Sequence, residues 1–544
     1  MKIDIDVNAK TMKTDKSWQE GIGGDHAWQF HRSDMVEQLK FAHDELGIKS
    51  IRFHGIFDDD MWTISDLNAF SPIPGGRYVR DYNFRQIGHV YDNILSCGVK
   101  PFVELSFMPS QLAKKKVTGL HYRNNTSIPK DYNEWHEYIK AFIEFLINRY
   151  GLEEVLNWKF EVWNEPDLKG GFFAYNQEDY FKLYEVSARA IKEVHKDIKV
   201  GGPSTSACKW IEEFINYCRN NNVPLDFIST HHYPGDAFGN LITPSNYFGI
   251  FKTMKKAIKE RADLTNSLGK MFFDPEKAAR VPKDALVKMD DDLYNQAKDY
   301  PIYISEWNSM AIFAAPIHDE KYSAAFVCKS VLDLNNKLEG YFFWCLSDLF
   351  EEQIQLNKPF IGGYGILTND GIPKPNFYAF KLLSKLYDER LDIGFREFKD
   401  VEYGIFKNGD NLQILLVAHN NDPRVNDKFE IEININGIYM NAYEERIDDN
   451  HCNPKKLWMN MGSPINLRKE EVKKIKEESN LNKEKIEIIL NDSKTTIKTN
   501  LYTNDIVLIT LEKGDQLWSC QVINEDYLTI IKTQIYRNVN LEIY

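Results

Sequence analysis

Short β-rich runs alternate with amphipathic helical stretches from about residue 20 to about residue 385. The eight β-rich runs comprise residues 21–24, 50–53, 100–105, 158–163, 198–201, 226–230, 302–305 and 340–344. Between them, apolar residues recur at helical spacing, as in Met35, Leu39, Ala42 and Leu46 and in Trp135, Ile139, Phe142 and Leu146. Repeated βα units build a parallel sheet, and eight of them close into a barrel. The predicted fold class is therefore α/β, with a (β/α)8 TIM barrel.

A doubly wound open sheet is the competing fold for this alternation. Ligand binding in that fold depends on a Gly-rich phosphate loop after one of the strands. No such loop follows any of the eight runs, so the barrel is favoured.

The pattern changes after about residue 390. Asn408-Gly409 lies between two β-prone runs, and Phe429, Ile431, Ile433 and Ile435 alternate with polar residues. We predict a barrel over residues 16–385 and an accessory antiparallel β-sandwich over 386–544. Residues 1–15 alternate through Ile3, Ile5 and Val7 and are predicted to add a strand to that sandwich. The Lys- and Glu-rich stretch 468–487 is typical of a solvated helix or loop and suggests no function.

Charge and cysteine content limit the partners and the compartment. The chain has 67 basic and 80 acidic residues, and its net charge of −13 argues against binding to nucleic acid or anionic lipid. The N-terminus lacks the basic start and apolar core of a secretory signal, and no apolar run has membrane-spanning length. The seven cysteines form no close pairs, which favours reduced thiols over disulfides or a zinc cluster. We expect a cytoplasmic protein that acts on a neutral partner.

Two predicted strands end in a carboxylate at the face where barrels carry their active sites. The fourth strand leads into Trp163-Asn164-Glu165-Pro166, and the seventh leads into Ser305-Glu306-Trp307-Asn308. Glycoside hydrolysis needs a pair of carboxyl groups on either side of the scissile bond, one as an acid and one to attack or stabilise the sugar cation. Glu165 and Glu306 are therefore the candidate catalytic residues. A buried, salt-bridged strand end is the alternative interpretation for either glutamate alone.

The adjacent pair His231-His232 raises the question of a catalytic metal. Successive side chains on a strand point to opposite faces, so these two imidazoles are not expected to share an ion. No third ligand at a suitable spacing accompanies them. The sequence predicts neither a metal nor another cofactor.

Several motifs together resemble the retaining glycoside hydrolases of clan A, and within them family 39, which includes β-xylosidases and α-L-iduronidases. The resemblance covers most of the chain. The motifs are Phe53-His54-Gly55, Trp163-Asn164-Glu165-Pro166-Asp167-Leu168, Thr230-His231-His232-Tyr233, Ser305-Glu306-Trp307-Asn308, Trp344-Cys345-Leu346-Ser347-Asp348-Leu349-Phe350-Glu351-Glu352, Gly362-Gly363-Tyr364-Gly365-Ile366 and Gly371-Ile372-Pro373-Lys374-Pro375. The segment Ser347–Glu352 points most narrowly to the bacterial β-xylosidases.

This resemblance implies a role for each candidate residue. Glu165 is implied to be the general acid/base, which must hold a proton near neutral pH, and Glu306 the nucleophile, which must stay ionised. Asn164 resembles the residue that binds the sugar 2-hydroxyl, and Tyr233 the tyrosine that donates a hydrogen bond to the nucleophile. The remaining residues that the resemblance implies to bind the sugar are His54, His231, Glu351 and Glu352. Trp344, at the end of the eighth predicted strand, is expected to form the apolar floor of the sugar site.

The predicted function is that of a retaining, exo-acting β-D-xylosidase on short xylo-oligosaccharides. One alternative is another glycosidase of the same family, such as an α-L-iduronidase-like enzyme, which needs a cation for the uronate carboxylate. Another alternative is a carbohydrate-binding barrel without turnover. The resemblance also implies a homo-oligomer, a tetramer in many relatives. The connection between predicted strands six and seven, residues 234–301, is longer than the β-xylosidase pattern, with added sequence around 272–297, and its role is left open.

Overall fold

A computed structural model describes residues 1–66, 80–120, 122–169, 171–234, 275–311, 313–352, 358–393, 397–398, 400–491 and 493–513. In chain order, its strands are β1 (Lys2–Ile5), β2 (Thr11–Lys13), β3 (Ile22–His26), β4 (Ser50–His54), β5 (Ile64–Asp66), β6 (Arg80–Tyr82), β7 (Lys100–Leu105), β8 (Lys159–Val162), β9 (Lys199–Thr205), β10 (Phe227–His232), β11 (Ile302–Trp307), β12 (Gly340–Phe343), β13 (Glu389–Leu391), β14 (Glu397–Phe398), β15 (Val401–Asn408), β16 (Asn411–Ala418), β17 (Lys428–Asn436), β18 (Asn441–Ile447), β19 (Glu484–Lys485), β20 (Ile489–Asn491), β21 (Lys494–Tyr502) and β22 (Ile506–Glu512). Its helices are α1 (Ser33–Leu46), α2 (Arg85–Ser96), α3 (Tyr132–Tyr150), α4 (Leu152–Val155), α5 (Gln177–Val194), α6 (Ile211–Asn220), α7 (Pro275–Ala279), α8 (Ala285–Ala297), α9 (Lys321–Asp333), α10 (Pro375–Ser384), α11 (Pro454–Asn460) and α12 (Lys469–Glu478).

Strands β3, β4 and β7–β12 form a closed parallel barrel. Each strand pairs with the next barrel strand along the chain, and β12 closes the ring by pairing Phe343 with Ile22 of β3. All eight predicted β-rich runs coincide with these strands, so the predicted barrel is confirmed and the open doubly wound sheet is wrong. The predicted helical stripes are also confirmed, since the apolar residues singled out in α1 and α3 are all buried.

The barrel interior has an aromatic layer and a charged layer. Phe102, Phe227, Tyr303 and Phe342 pack together in one buried cluster, and the first three stand at or near the starts of their strands. Further along the strands, the buried side chains include charged and polar groups, such as Arg52, Glu104 and Glu161. The barrel is therefore filled with aromatic rings below and is polar towards the carboxyl ends of its strands.

The second unit consists of a four-stranded sheet in the order β1-β17-β21-β20 and a longer sheet in the order β19-β18-β22-β16-β15-β13-β2. Apolar side chains of both sheets share one core, which includes Ile433 and Ile497 from the first sheet and Ile414 and Ile509 from the second. This arrangement confirms the predicted accessory antiparallel sandwich. The β15–β16 hairpin turns through Gly409 and Asp410, because Asn408 itself still pairs with Asn411. Gly409 has a φ of 58°, which favours glycine there.

Strand β1 pairs in parallel with β17, and Lys2 lies opposite Glu432. Ile3 and Ile5 point into the sandwich core, whereas Val7 comes after the strand has ended. The predicted sandwich residues 514–544 lie outside the described residues, as does Cys520. The six described cysteines are all free thiols.

The helices of the described residues include none that is long and apolar enough to cross a membrane. In the long connection between β10 and β11, residues 235–274 lie outside the described residues. The part that is described contains α7 and α8, and α8 packs beside the barrel against α6 and β10. Much of the sequence that we expected to be added loop is therefore barrel helix.

Candidate active site

Glu165 and Glu306 lie together at the carboxyl ends of β8 and β11. One carboxylate oxygen of Glu165, one of Glu306 and a ring nitrogen of His231 all lie within 4.8 Å of one another. The backbone at the end of β8 is unusual, because Trp163 and Glu165 both have positive φ angles, of 73° and 42°. The amide of Glu165 donates to the carbonyl of Ser204 at 2.8 Å, which fixes the turn. The chain thus aims the Glu165 carboxyl into the barrel mouth rather than continuing the strand.

Arg52 of β4 is the buried cation of the site. Its guanidinium donates to Oε1 of Glu306 at 2.8 Å, to Oε2 of Glu161 at 2.6 Å and to the side-chain oxygen of Asn164 at 2.9 Å. It also lies 2.9 Å from Oε2 of Glu104. Although burial lowers the pKa of Arg52, the surrounding carboxylates raise it further, so the guanidinium stays charged. A fixed positive charge therefore touches one oxygen of Glu306.

The other oxygen of Glu306 accepts a hydrogen bond from the hydroxyl of Tyr233 at 2.9 Å. Burial and the neighbouring Glu306 raise the pKa of Tyr233 far above its usual value, so this hydroxyl remains a donor. Burial raises the pKa of the Glu306 carboxyl above its usual value, whereas the charge of Arg52 and the Tyr233 hydroxyl oppose that rise. Both Glu306 oxygens are thus held by donors that favour the carboxylate form.

His54, at the end of β4, places Nδ1 2.8 Å from Glu104 and Nε2 3.5 Å from Oε1 of Glu306. Burial lowers the pKa of His54 to about 3, so the ring is neutral. Its ring centroid lies 4.7 Å from that of Trp344. His54 is accordingly a neutral polar group on the floor of the site.

The two adjacent histidines of β10 face opposite sides, as predicted. His231 places Nδ1 3.0 Å from Oε1 of Glu165 and 3.5 Å from Oε2 of Glu306, and burial lowers its pKa well below the usual value. His232 instead contacts the hydroxyl of Tyr341 at 2.8 Å and Asp290 of α8 at 3.1 Å. The two imidazoles do not share a site. Glu165, His231 and Glu306 are close enough together to bind one metal ion. However, the positive charge of Arg52, which is bound to Glu306, would repel a metal cation there.

A cavity of about 260 Å³ opens beside the two carboxylates. Six predicted site residues line it: His54, Glu165, Tyr233, Glu306, Trp344 and Glu352. Trp344 packs tightly over the backbone of β3, because a Cβ at Gly23 would lie 2.4 Å from its ring. Only glycine at position 23 leaves the indole room to form the cavity floor.

Asp25 of β3 fixes the position of Glu351 and Glu352. Its carboxylate accepts from the backbone amides of Glu351 at 2.7 Å and of Glu352 at 3.2 Å. Of these two glutamates, Glu352 lines the cavity. The neighbouring His26 places Nε2 3.0 Å from Asp58, in the loop after β4. Two consecutive residues of β3 therefore hold two loops of the barrel rim.

The sequence, fold and site agree with the results of three comparisons. A family model described as glycosyl hydrolases family 39 matches residues 1–274 and 270–493. The chain belongs to glycosyl hydrolases family 39. A β-xylosidase of Caldicellulosiruptor saccharolyticus is 38% identical over 520 residues, which cover 94% of this chain and 99% of that protein. A β-xylosidase of Geobacillus stearothermophilus is 29% identical over 83% of this chain and 84% of its own length.

The fold is also similar to that of solved structures. The crystal structure of a monomeric β-xylosidase from Caulobacter crescentus superposes with a TM-score of 0.73 at 27% identity, over 94% of this chain and 99% of that one. The predicted resemblance to family 39 is confirmed.

The structure of this family 39 chain brings most predicted site residues to the cavity wall. Asn164 and His231 are not among the lining residues. Asn164 accepts a hydrogen bond from Arg52, and His231 contacts the Glu165 carboxyl directly. Glu351 does not line the cavity either, and its backbone amide is bound to Asp25 at the barrel rim.

The buried ionic network behind the carboxylates was not predicted from the sequence. Arg52, Glu104 and Glu161 are charged residues inside otherwise apolar strands, and each is at most 1% exposed. Charged residues are almost never fully buried unless they are paired. A charged residue within the apolar part of each of three predicted barrel strands was therefore a usable signal for an ion-paired cluster.

Proposed function

We propose that this protein is a retaining, exo-acting β-D-xylosidase that releases xylose from short xylo-oligosaccharides. Family membership and the two β-xylosidase relatives support the reaction class. The geometry of the barrel mouth supports the roles of individual residues, which follow.

The observation that carries this proposal is the separation of the two carboxyl groups. Oxygens of Glu165 and Glu306 approach within 4.8 Å. Retaining glycosidases keep their carboxyl groups about 5–5.5 Å apart, whereas inverting enzymes need about 6.5–9.5 Å to admit a water molecule. The spacing thus favours direct attack by one carboxylate on the sugar.

In the first step, a Glu306 oxygen bonds to the anomeric carbon while the bond from that carbon to the leaving oxygen breaks. Glu165 gives its proton to the leaving oxygen. In the second step, Glu165 takes a proton from water, the water oxygen bonds to the anomeric carbon, and the bond to Glu306 breaks. Two inversions give net retention. Neutral His231 suits both stages, because it can accept from protonated Glu165 and donate to ionised Glu165.

We propose that Asn164 recognises the sugar hydroxyl next to the anomeric carbon. Its side-chain oxygen accepts from Arg52 at 2.9 Å. Its side-chain nitrogen is buried and has no hydrogen-bond partner among the described residues. A buried donor of this kind gains most when a ligand hydroxyl supplies its acceptor. We assign it to the sugar 2-hydroxyl, beside the attacking carboxylate.

The cavity supports exo action on a neutral glycone. Its volume of about 260 Å³ lies below the range of about 300–1,000 Å³ typical of pockets for larger ligands. It therefore suits one pentose unit better than a run of them. The described residues that line it include neither Lys nor Arg, which favours a xyloside over the uronic acid of an iduronidase-like substrate.

We also propose a cytoplasmic site of action, supported by the free thiols of all six described cysteines. The proposed partner is the oligosaccharide alone. A homo-oligomer, specifically a tetramer, stays a prediction that the mass of the purified protein in solution tests directly.

The test of the proposed function is proton NMR of the reaction with an aryl β-D-xyloside, recorded before mutarotation mixes the anomers. We expect β-xylose to appear first. Initial α-xylose would contradict the nucleophile role of Glu306. If no xylose is released but another aryl glycoside is hydrolysed, the glycone has to be reassigned. If no aryl glycoside is hydrolysed while xylose still perturbs the protein spectrum, the binding-only alternative is correct.

A further inference from the structure

The region of the second domain that includes the Lys- and Glu-rich stretch contacts the barrel close to the substrate cavity. Between β18 and β19 the chain leaves the sandwich and forms α11 and α12, here called the insertion helices. Val472 and Ile475 of α12 share one apolar face, and Ile475 is fully buried. The charged residues cover the outer face.

The partner of that apolar face is residues 358–374 of the barrel, here called the wall segment. Trp458 of α11 and Ile475 of α12 form one buried cluster with Phe360 and Ile372 of the wall segment. The rings of Trp458 and Phe360 lie 5.6 Å apart between centroids. The indole nitrogen of Trp458 donates to the carbonyl of Pro464 at 2.9 Å, which fixes the ring within the insertion.

The opposite side of the wall segment faces the active site. Ile361 and Tyr364 belong to a buried cluster with Tyr233 and Trp344, and Tyr364 lines the cavity with both catalytic carboxylates. Phe360 and Ile361 are consecutive residues, so one contacts the insertion while the next packs behind the cavity. A short piece of chain thus separates the second domain from the substrate wall.

The insertion also contacts residues 318–321 of the barrel, which hold the wall segment through Gly362. Lys455, beside α11's first residue, lies 2.8 Å from Glu320, and Lys321 lies 3.0 Å from Asp449. Immediately before these barrel residues, Asp319 accepts from the amide of Gly362 at 2.6 Å. His318 contacts the carbonyl of Gly362 at 2.9 Å. The apolar contact and the ion pairs therefore converge on the same part of the wall segment.

We propose that the insertion helices hold the wall segment in place so that Tyr364 completes the substrate cavity, with Trp458 as a positioning residue for the reaction. Removal of the indole leaves Phe360 without its packing partner, which frees the segment to move away from the cavity. Substrate binding then has to restore its position, and this appears in KM rather than in the chemistry of a bound substrate. The kinetic part of this inference rests on the proposed function.

The test compares Trp458→Ala with two controls in the full-length protein. Met459 is the next residue on α11 and is 57% exposed, so Met459→Ala is a matched control that we expect to behave like wild type. Trp458→Phe keeps a ring against Phe360 and should restore most of the loss. For Trp458→Ala we expect KM for an aryl xyloside to rise about tenfold with little change in kcat. An unchanged KM with only a lower melting temperature would overturn the proposal, because Trp458 would then serve only the stability of the second domain.

Hydrogen exchange gives a readout that needs no substrate. In Trp458→Ala we expect faster exchange of the amides of residues 361–367 than in Met459→Ala, whereas exchange in barrel strand β7 stays the same. Unchanged exchange in residues 361–367 would refute the positioning role even if the glycone had been misassigned. If Trp458→Ala does not fold, Phe360→Leu removes the same ring contact from the barrel side and is subject to the same two readouts.

Discussion

Individual residues of the site differ in what their loss should do, because the proposed roles of Glu165 and Glu306 differ. Loss of Glu306 removes the bond-forming group, so Glu306→Ala should abolish turnover of every xyloside. Loss of Glu165 removes the proton donor, which contributes about 10²–10⁴-fold and matters most for poor leaving groups. Glu165→Ala should therefore slow xylobiose far more than an activated aryl xyloside.

Azide rescue checks these assignments independently. Azide added to Glu165→Ala should yield the β-xylosyl azide, and added to Glu306→Ala the α-azide. Azides of the opposite configuration would exchange the two roles. Equal losses of activity on substrates with good and poor leaving groups would refute the acid/base role of Glu165.

Tyr233 offers a second prediction at this scale. Its hydroxyl donates to Oε2 of Glu306 at 2.9 Å, and a hydrogen bond to a charged group contributes about 1.5–3 kcal/mol. Tyr233→Phe should lower kcat/KM by roughly 10- to 100-fold. Because the donor favours the carboxylate, its loss should raise the pKa of Glu306 and move the acidic limb of the pH profile to higher pH. A rate loss without that movement would mean that the hydroxyl binds the substrate rather than Glu306.

Sequence patterns predicted the position of Glu165 and Glu306 because strand ends are local features. They did not predict Arg52 as the partner of Glu306, since 254 residues separate the two. Nor did they predict the contacts of Asp25. Its carboxylate accepts from backbone amides, and a backbone amide leaves no mark on the type of residue that carries it. The contacts that set the charge of the site are long-range, and only folding brings them together.

Among the elements, β3 was the least apparent strand in the sequence and yet connects several parts of the rim. It contains two glycines and few apolar residues, so its pattern is weak. Its last residues, Asp25 and His26, are buried polar groups that bond to other loops. A strand that closes the barrel mouth by polar contacts does not show the apolar alternation on which sequence analysis relies.

The ion pair that β3 makes through His26 should depend on pH. Burial alone lowers the pKa of His26, but the hydrogen bond and charge of Asp58, with Asp60 and Asp25, raise it to about 9. A raised pKa in the folded state means that this stabilisation is complete below about pH 6.5 and is lost as the pH rises through about 9. The shift corresponds to at most about 3 kcal/mol.

Urea unfolding of wild type and His26→Gln at several pH values measures this effect. We expect the difference in unfolding free energy to be largest at pH 6 and to shrink up to pH 10. A difference that stays constant over this range would mean that His26 acts through packing on Tyr122, with which it stacks at 4.3 Å, rather than through charge.

At the scale of the whole molecule, the chain passes from the sandwich into the barrel and back. Strand β1 completes one sheet and β2 the other, before β3 begins the barrel. Ile3 and Ile5 are buried in the sandwich core, whereas Lys2 and Asp4 on the same strand are exposed. The stability of the second domain should therefore depend on the first residues of the chain.

A matched pair of double variants tests this dependence. Ile3→Ala with Ile5→Ala should destabilise the sandwich by at least about 2 kcal/mol. Lys2→Ala with Asp4→Ala removes only surface contacts and should cost less than about 1 kcal/mol. Thermal unfolding measures both, and KM should stay at the wild-type value in each. Equal melting temperatures for the two variants would show that β1 adds no stability.

The pairing of β1 with β17 also affects how the protein is made. Lys2 pairs with Glu432, so about 430 residues must be synthesised after the first strand before its neighbour exists. At about 5–20 residues per second, the ribosome takes roughly 20–90 s to reach that point. The barrel can close only after β12 has been made, late in that interval. Until β17 emerges, β1 has an unpaired edge and two uncovered isoleucines. The nascent chain is thus exposed to aggregation at β1 until β17 emerges, and a chaperone that shields residues 1–12 would improve its yield without changing the chemistry of the active site.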